Sequence, residues 1–368
     1  MKRGEMRPVG QVPQKQYIYI AELAKRLSIS ARAIRFYEEQ GLIHPAKDPN
    51  NDYRLFTESD ILRLQTILLL REIGMSLADI GTLLDEMESN HKDIVANYLE
   101  MQRSALYAKW IELSRTIRST EQLVERFYEG RELADEGMMT LSNGLKQLRR
   151  IRESTHTYWD FNANAASFDE HVLTVTEPWI PYSGYEAVLD SIIGYLCPSK
   201  NERGLELAIG TGNLSAKCVA QGAKMYGVDQ SFEMLRQCRS KYPGIHTKLG
   251  NMMAAPFFDH QFDFIVSSYA FHLLTFEQQF LSLREMDRLL VNGGRVCIAD
   301  HMFVNEVERI AVLERLKTEK DEKGIRSVES HSFAYITSLT EWFTQQFYTT
   351  QLIRVHESVY LLLAYKPM

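Results

Sequence analysis

The sequence predicts a multidomain chain. An all-α winged helix-turn-helix comes first, a long coiled-coil helix second, and an α/β Rossmann-like domain with a mostly parallel sheet last. Three observations carry this. Two short amphipathic segments flank "SIS" near residue 28, a near-heptad stripe runs through residues 91–130, and short apolar runs alternate with helical patterns from about residue 155 onward.

The composition is that of an ordinary globular chain of two or three domains: 368 residues, 45% hydrophobic and 24% charged. The net charge of −6 is uneven, because residues 1–60 hold ten Lys/Arg against eight Asp/Glu. A mildly basic start permits contact with nucleic acid. Residues 1–16 are polar and read as a flexible tail rather than a secretory signal. No apolar run approaches the ~20 residues that span a bilayer, so no membrane partner and a cytoplasmic location are expected. Cys197, Cys218, Cys238 and Cys297 are dispersed. That spacing argues against a zinc site or a disulfide framework, and no metal is expected.

From Tyr17, the residues Ile20, Leu23, Ala24 and Leu27 share one helical face. Ser30 can cap a second helix carrying Ala33, Ile34 and Tyr37 and ending at Gly41. Two helices joined by a tight turn can place the second in the major groove, with Arg32 and Arg35 on neighbouring positions. On these residues alone, a solvated helix bearing two arginines is an equal reading. A turn-rich hairpin, "DPNNDYRLF", and two more helical segments follow.

The segments "IRFYEEQGLI", "DYRLFTESDILRL" and "LREIGMSLADI" together resemble the MerR family of transcriptional regulators over roughly residues 17–87. The resemblance implies a DNA-binding domain over 17–90. In it Arg32 and Arg35 contact DNA, Tyr37 supports the backbone contact, and Tyr53 and Arg54 clamp phosphate from the wing. Asp52 stands where that family usually has Gly, which implies a different wing turn and an acidic group near the phosphate path.

Over 91–130, the residues Val95, Leu99, Gln102, Leu106, Trp110, Leu113, Ile117, Thr120, Val124 and Phe127 recur in steps of three and four. One helix cannot bury such a stripe alone. It packs either on its own chain or on a partner. The MerR resemblance implies an antiparallel coiled coil and hence a homodimer suited to double-stranded promoter DNA with two half-sites. Residues 131–154 read as a charged helical connector.

From 155 to 368, "GLELAIG", "KMYGVD", "HTKLGN", "FDFIVSSYA" and "GRVCIADHM" are strand-like, with helices starting near Asn213, Ser231 and Thr275. Ligands of such sheets sit beyond the carboxyl ends of the strands. The loop in "GLELAIGTGN" could serve a dinucleotide, but position 215 is Ser where a third glycine belongs. Glu206 would also repel a pyrophosphate, whereas it would attract an ammonium and a sulfonium. Asp229 ends the next strand, where a carboxylate can accept hydrogen bonds from ribose hydroxyls.

"LELAIGTGN", "GVDQS", "GNMMAAPF", "FDFIVSSYAFHLL" and "LREMDRLLVNGGRVCIADH" resemble, in order, the class I S-adenosylmethionine-dependent methyltransferases. The resemblance implies S-adenosyl-L-methionine held by Glu206, Ala208, Gly210, Gly212, Asp229, Gln230, Asn251 and Met252. Ala208 replaces the loop's first glycine, and Asn251 stands where an Asp commonly meets the adenine. "THTYWDFNANAASFDEHV" resembles the lid that covers the cofactor, with Tyr158 and Phe168 as candidate contacts; a helix packing aromatics into the core is the equal alternative. The closing "FYTTQLIRVHESVYLLLAYKPM" can supply two last strands, one antiparallel.

Methyl transfer is an in-line displacement, in which the protein aligns the reactants and excludes water. His272 and Tyr269 follow the fourth strand where the methyl group should point, and a titratable His suits base catalysis. His301 is a weaker candidate. "SSYAFH" lacks the D/N-P-P-Y/F/W motif of amino-methylating DNA enzymes, so a small-molecule acceptor is expected. The whole reads as a MerR-type regulator carrying a small-molecule methyltransferase, with ligand occupancy modulating promoter distortion. The alternatives are a catalytically silent metabolite sensor and an enzyme whose N-terminal part serves dimerisation.

Overall fold

The computed structural model describes residues 17–49, 51–72, 76–88, 92–128, 161–175, 177 and 179–368. The expected tail over 1–16, the connector over 131–154 and Tyr158 lie outside the described residues. The chain divides into two compact units, Met1–Gln102 and Arg103–Met368.

In the first unit, helix Ile20–Arg26 is followed by helix Ala31–Glu39. Ser30 Oγ accepts the Ala33 N–H at 3.1 Å, which satisfies one of the free donors of the second helix. Gly41 then takes φ +71°, a left-handed conformation that costs a glycine nothing. Helices Glu58–Glu72 and Leu77–Glu88 follow, and the start of helix Lys92–Tyr128 packs Val95 and Tyr98 on the unit. Leu23, Ile34, Phe56, Leu64 and Ile80 are buried together as its core.

The expectation of an all-α unit is corrected by a three-stranded antiparallel sheet in the order β1-β3-β2. Its strands are β1 (Ile18–Tyr19), β2 (Ala46–Lys47) and β3 (Arg54–Phe56). The β2–β3 hairpin is the wing. β1 escapes a periodicity reading because two residues are too few to show a period, and its pairing of Ile18 with Phe56 is long-range.

In the second unit, strands β4 (Arg203–Leu207), β5 (Lys224–Asp229), β6 (His246–Leu249), β7 (Phe262–Ser268) and β8 (Leu290–Phe303) form a parallel array. β9 (Ala334–Tyr335) pairs in parallel with the end of β8. β11 (Val359–Tyr365) runs antiparallel to both β8 and β10 (Thr349–Arg354). The order is β10-β11-β8-β7-β4-β5-β6. The connections reverse direction on either side of β4, so the loop after β4 opens into the crevice where α/β sheets bind ligands.

The helices expected near Asn213, Ser231 and Thr275 are Asn213–Ala220, Phe232–Lys241 and Phe276–Leu289. Ser231 caps the second. Thr275 and Gln278 close a reciprocal capping box on the third. Two apolar layers, one on each sheet face, bury the central strands, while the edge strands β6 and β10 stay partly open.

The long stripe lies on one helix, Lys92–Tyr128. Leu99, Leu106, Leu113, Ile117 and Val124 are 41–57% exposed. Trp110, which the sequence places on the same stripe, instead packs within the second unit: it and Tyr107 meet the Phe258 ring at centroid distances of 5.4 Å. Ile111 beside it is 1% exposed. The helix therefore presents two apolar faces, one packed on its own chain and one open.

Candidate functional site

On the second helix of the pair, Ala31–Glu39, Arg32 and Arg35 are exposed, and neither takes part in an ion pair among the described residues. Two unpaired guanidiniums on one face can reach phosphates or guanine edges. Tyr53 on the wing is 63% exposed and stands edge-on to Tyr19. Tyr37 packs partly buried on the unit's core, so it positions the helix more than it reaches outward. Arg54, expected to clamp phosphate, donates from Nε to Glu38 Oε2 at 2.6 Å. That bond ties the wing to helix Ala31–Glu39. Asp52 takes φ +60°, the left-handed turn a glycine would make, and its carboxylate lies 3.3 Å from Lys47 Nζ. The acid on the wing thus faces a lysine across the hairpin.

In the second unit a cavity of about 540 Å³ opens at the carboxyl ends of β4, β5 and β7. Glu206, Ala208, Gly210, Asp229, Gln230, Met252 and Tyr269 line it, as the sequence led us to expect. Glu206 is 2% exposed, and its Oε2 accepts from Ser215 N at 2.9 Å and Ser215 Oγ at 2.5 Å. Burial pushes its carboxyl up to about 8, against those two bonds. Burial also raises Asp229, although its oxygens accept from Gly210 N at 2.9 Å and Ser231 N at 2.8 Å. The described lining contains neither Lys nor Arg. A buried and a half-buried carboxyl group on a cavity with no Lys or Arg in its described lining suit a ligand that brings positive charge and hydroxyls.

Two expected contacts are placed elsewhere. Gly212 does not line the cavity; a Cβ there would come within 2.5 Å of Cys238 Sγ, and its φ is +88°, so glycine serves helix packing and the tight turn. Asn251 turns its Oδ1 to Met253 N at 2.8 Å, capping its own turn, and is also absent from the lining. Ala208 sits at φ +60°, where a Cβ is strained.

Residues 161–174 cover the loop after β4, and Phe161, Asn162 and Phe168 line the cavity. Asp169 accepts from Thr211 Oγ1 at 2.6 Å, from Asn213 Nδ2 at 2.9 Å and from Lys241 Nζ. Ser231 Oγ donates to Asn162 Oδ1 at 2.7 Å. These polar anchors were missed in the sequence because each pairs residues far apart along the chain.

Tyr269, singled out with His272 as a catalytic candidate, is tied into the cavity wall. Burial pushes its phenol well above the ordinary range, and its hydroxyl donates to the Ser183 carbonyl at 2.5 Å. It is a fixed wall. His272 follows on a 3₁₀ turn, Phe271–Leu273, and is 2% exposed. Its Nδ1 lies 2.8 Å from Asp300 Oδ1. Asp300, at the end of β8, also accepts the N–H groups of Phe271 at 2.7 Å, His272 at 3.2 Å and His301 at 2.7 Å. Burial raises its carboxyl, yet the neighbouring His272, through charge and its hydrogen bonds, holds it below the ordinary range. Burial drives His301 down to about 3, and its Nδ1 meets Ser358 Oγ at 2.8 Å, so it remains neutral near pH 7.

Residues 19–87 match the family described as MerR HTH family regulatory protein. Residues 205–294 match the one described as Methyltransferase domain. The chain joins a MerR-type helix-turn-helix domain to a methyltransferase domain. An uncharacterized methyltransferase of Alkaliphilus oremlandii is 28% identical over 207 residues, covering 56% of this chain and 95% of that protein. The uncharacterized methyltransferase YrrT of Bacillus subtilis is 26% identical over 187 residues, covering 50% and 85%. Among solved structures, magnesium protoporphyrin IX methyltransferase of Synechocystis with bound SAH is 13% identical, covers 61% of this chain and 95% of its own, and has a TM-score of 0.41. In the methyltransferase domain, the matched segment holds Glu206, Asp229 and His272, whereas Asp300 lies just beyond it.

Proposed function

We propose that this chain is a promoter-binding regulator whose methyltransferase domain binds S-adenosyl-L-methionine and methylates a small molecule. The observation that carries the reading is a pair of carboxyl groups, the buried Glu206 and the half-buried Asp229, on a cavity whose described lining has no basic residue. Glu206 would hold the ammonium of the cofactor, and Asp229 with Gln230 its ribose hydroxyls. When bound, the cofactor supplies an electrophilic methyl group on a sulfonium. The residues of the lid, Phe161 and Phe168, exclude water from it. Calorimetry tests this: the wild type binds S-adenosyl-L-methionine, and Glu206→Ala binds it at least tenfold more weakly. Equal affinities refute the role of Glu206. Release of a radiolabelled methyl group to an acceptor separates an enzyme from a sensor that only binds.

The open stripe on helix Lys92–Tyr128 fits a second copy of the chain, packed as an antiparallel coiled coil. Such a homodimer would present two recognition helices to a promoter with two half-sites.

The packed face of that helix supports coupling between ligand and promoter distortion. Met252 and Met253 line the cavity, and Ala255, just beyond, donates its N–H to Glu285 at 2.8 Å. Glu285 lies 4.0 Å from Arg115 of the long helix, and Phe258 of the same loop meets Tyr107 and Trp110. A ligand that shifts the 252–258 loop therefore presses on the helix. Phe258→Ala is expected to leave cofactor affinity within about threefold while erasing any cofactor effect on promoter binding. A persisting effect in that variant refutes this route.

A further inference from the structure

A second cavity, of about 710 Å³, adjoins the first and shares Tyr182, Leu273 and Leu274 with it. His272 lines it, and three features fit one class of occupant.

The first is a prepared proton acceptor. Asp300 is saturated by backbone donors and stays ionised, so it takes the Nδ1–H of His272 and leaves the Nε2 lone pair available. That Nε2 is buried and has no hydrogen-bond partner among the described residues. Leaving a buried acceptor unmet costs about 1–3 kcal/mol, a cost that a ligand hydroxyl would remove.

The second is a spare cation. Lys323 on the cavity is paired with Glu177 at 3.1 Å, whereas Arg326, one helical turn further, has no ion pair among the described residues. A guanidinium presents a fork matched to a carboxylate. The third is the apolar stretch of Val175, Ile180 and Pro181, which suits a hydrocarbon body between the two polar ends.

We infer that this cavity receives the methyl acceptor and that the acceptor is a small hydroxylated carboxylic acid, its hydroxyl at His272 Nε2 and its carboxylate at Arg326. The inference rests on the methyl-donor reading of the first cavity. The acceptor oxygen passes its proton to Nε2 as it forms the O–CH₃ bond. The C–S bond pair stays on sulfur, so the positive charge lost there reappears on the imidazolium. Asp300 stabilises that charge, and the proton then leaves to water. The groups facing His272 are Asp300 and His301 of β8, His331 after helix Glu322–Ser330, and Tyr182; Lys323, Arg326, Glu177 and His171 lie around the same cavity.

The experiment is calorimetry on the full chain with saturating S-adenosylhomocysteine, which permits no turnover. The probes are hydroxy acids from glycolate to 4-hydroxybenzoate, each paired with its dehydroxylated acid and with the matching neutral alcohol or phenol. At least one hydroxy acid should bind tenfold more tightly than both counterparts. Arg326→Gln should erase its advantage over the neutral compound, and His272→Gln its advantage over the dehydroxylated acid. Methyl transfer to that acid by His272→Gln should fall about 100-fold at neutral pH and recover as pH approaches ionisation of the acceptor's own hydroxyl. If S-adenosylhomocysteine binds but no hydroxy acid outperforms its counterparts, the acceptor assignment fails alone. If S-adenosylhomocysteine does not bind, the donor reading fails and this inference with it.

Discussion

Glu206 offers a measurement that reads the proposed cofactor site without turnover. Its carboxyl is held at about 8 by burial, so the ligand-free protein keeps it protonated near neutrality. Pairing with an ammonium would return it to the ordinary carboxylate range, near 4.3. At pH 7 a group with pKa about 8 is about 90% protonated and one near 4.3 almost wholly ionised, so binding should release about 0.9 proton. The apparent affinity should rise about tenfold per pH unit from 6 to 7 and flatten near 8.

Calorimetry in buffers of different ionisation enthalpy counts this proton directly. Asp229 is also raised by burial, so the Asp229→Asn variant must keep the release while Glu206→Gln abolishes it. The same shift has a stability sign. A carboxyl raised in the folded state binds its proton more tightly than the unfolded chain does, so ligand-free stability falls as pH climbs from about 4.5 to 8, by about 5 kcal/mol in all. Glu206→Gln should flatten that slope in denaturant titrations. A wild type that binds the cofactor without releasing a proton, or a Glu206→Gln variant that releases the same number, refutes the assignment of Glu206 to the ammonium.

Three further outcomes are expected. Arg35→Ala should weaken promoter binding by about tenfold and lower its salt slope by about 1, with cofactor affinity unchanged, in filter-binding and calorimetric measurements. Ala208→Gly relieves a left-handed backbone at φ +60° and should raise stability by about 0.5–1 kcal/mol in thermal denaturation. Ile117→Glu, on the open face of the long helix, should shift the chain from dimer to monomer in sedimentation while preserving its circular dichroism; a dimer as stable as the wild type refutes the coiled coil.

The sequence by itself determined what repeats locally or is decided by a single side chain. Caps at Ser30, Ser231 and Thr275 set helix starts, and buried parallel strands appear as continuous apolar runs. Glu206 and Asp229 could be placed on the cavity because one is the penultimate and the other the last residue of a strand, at a crevice whose position the strand order dictates. Tertiary structure alone decided the rest. Asp300 became the partner of His272, Glu38 accepted a hydrogen bond from Arg54, and Asn251 folded back on Met253. The long helix likewise packs Trp110 inward while leaving Ile117 open. Periodicity reports that a face is apolar, but which surface covers it is settled by contacts far apart along the chain.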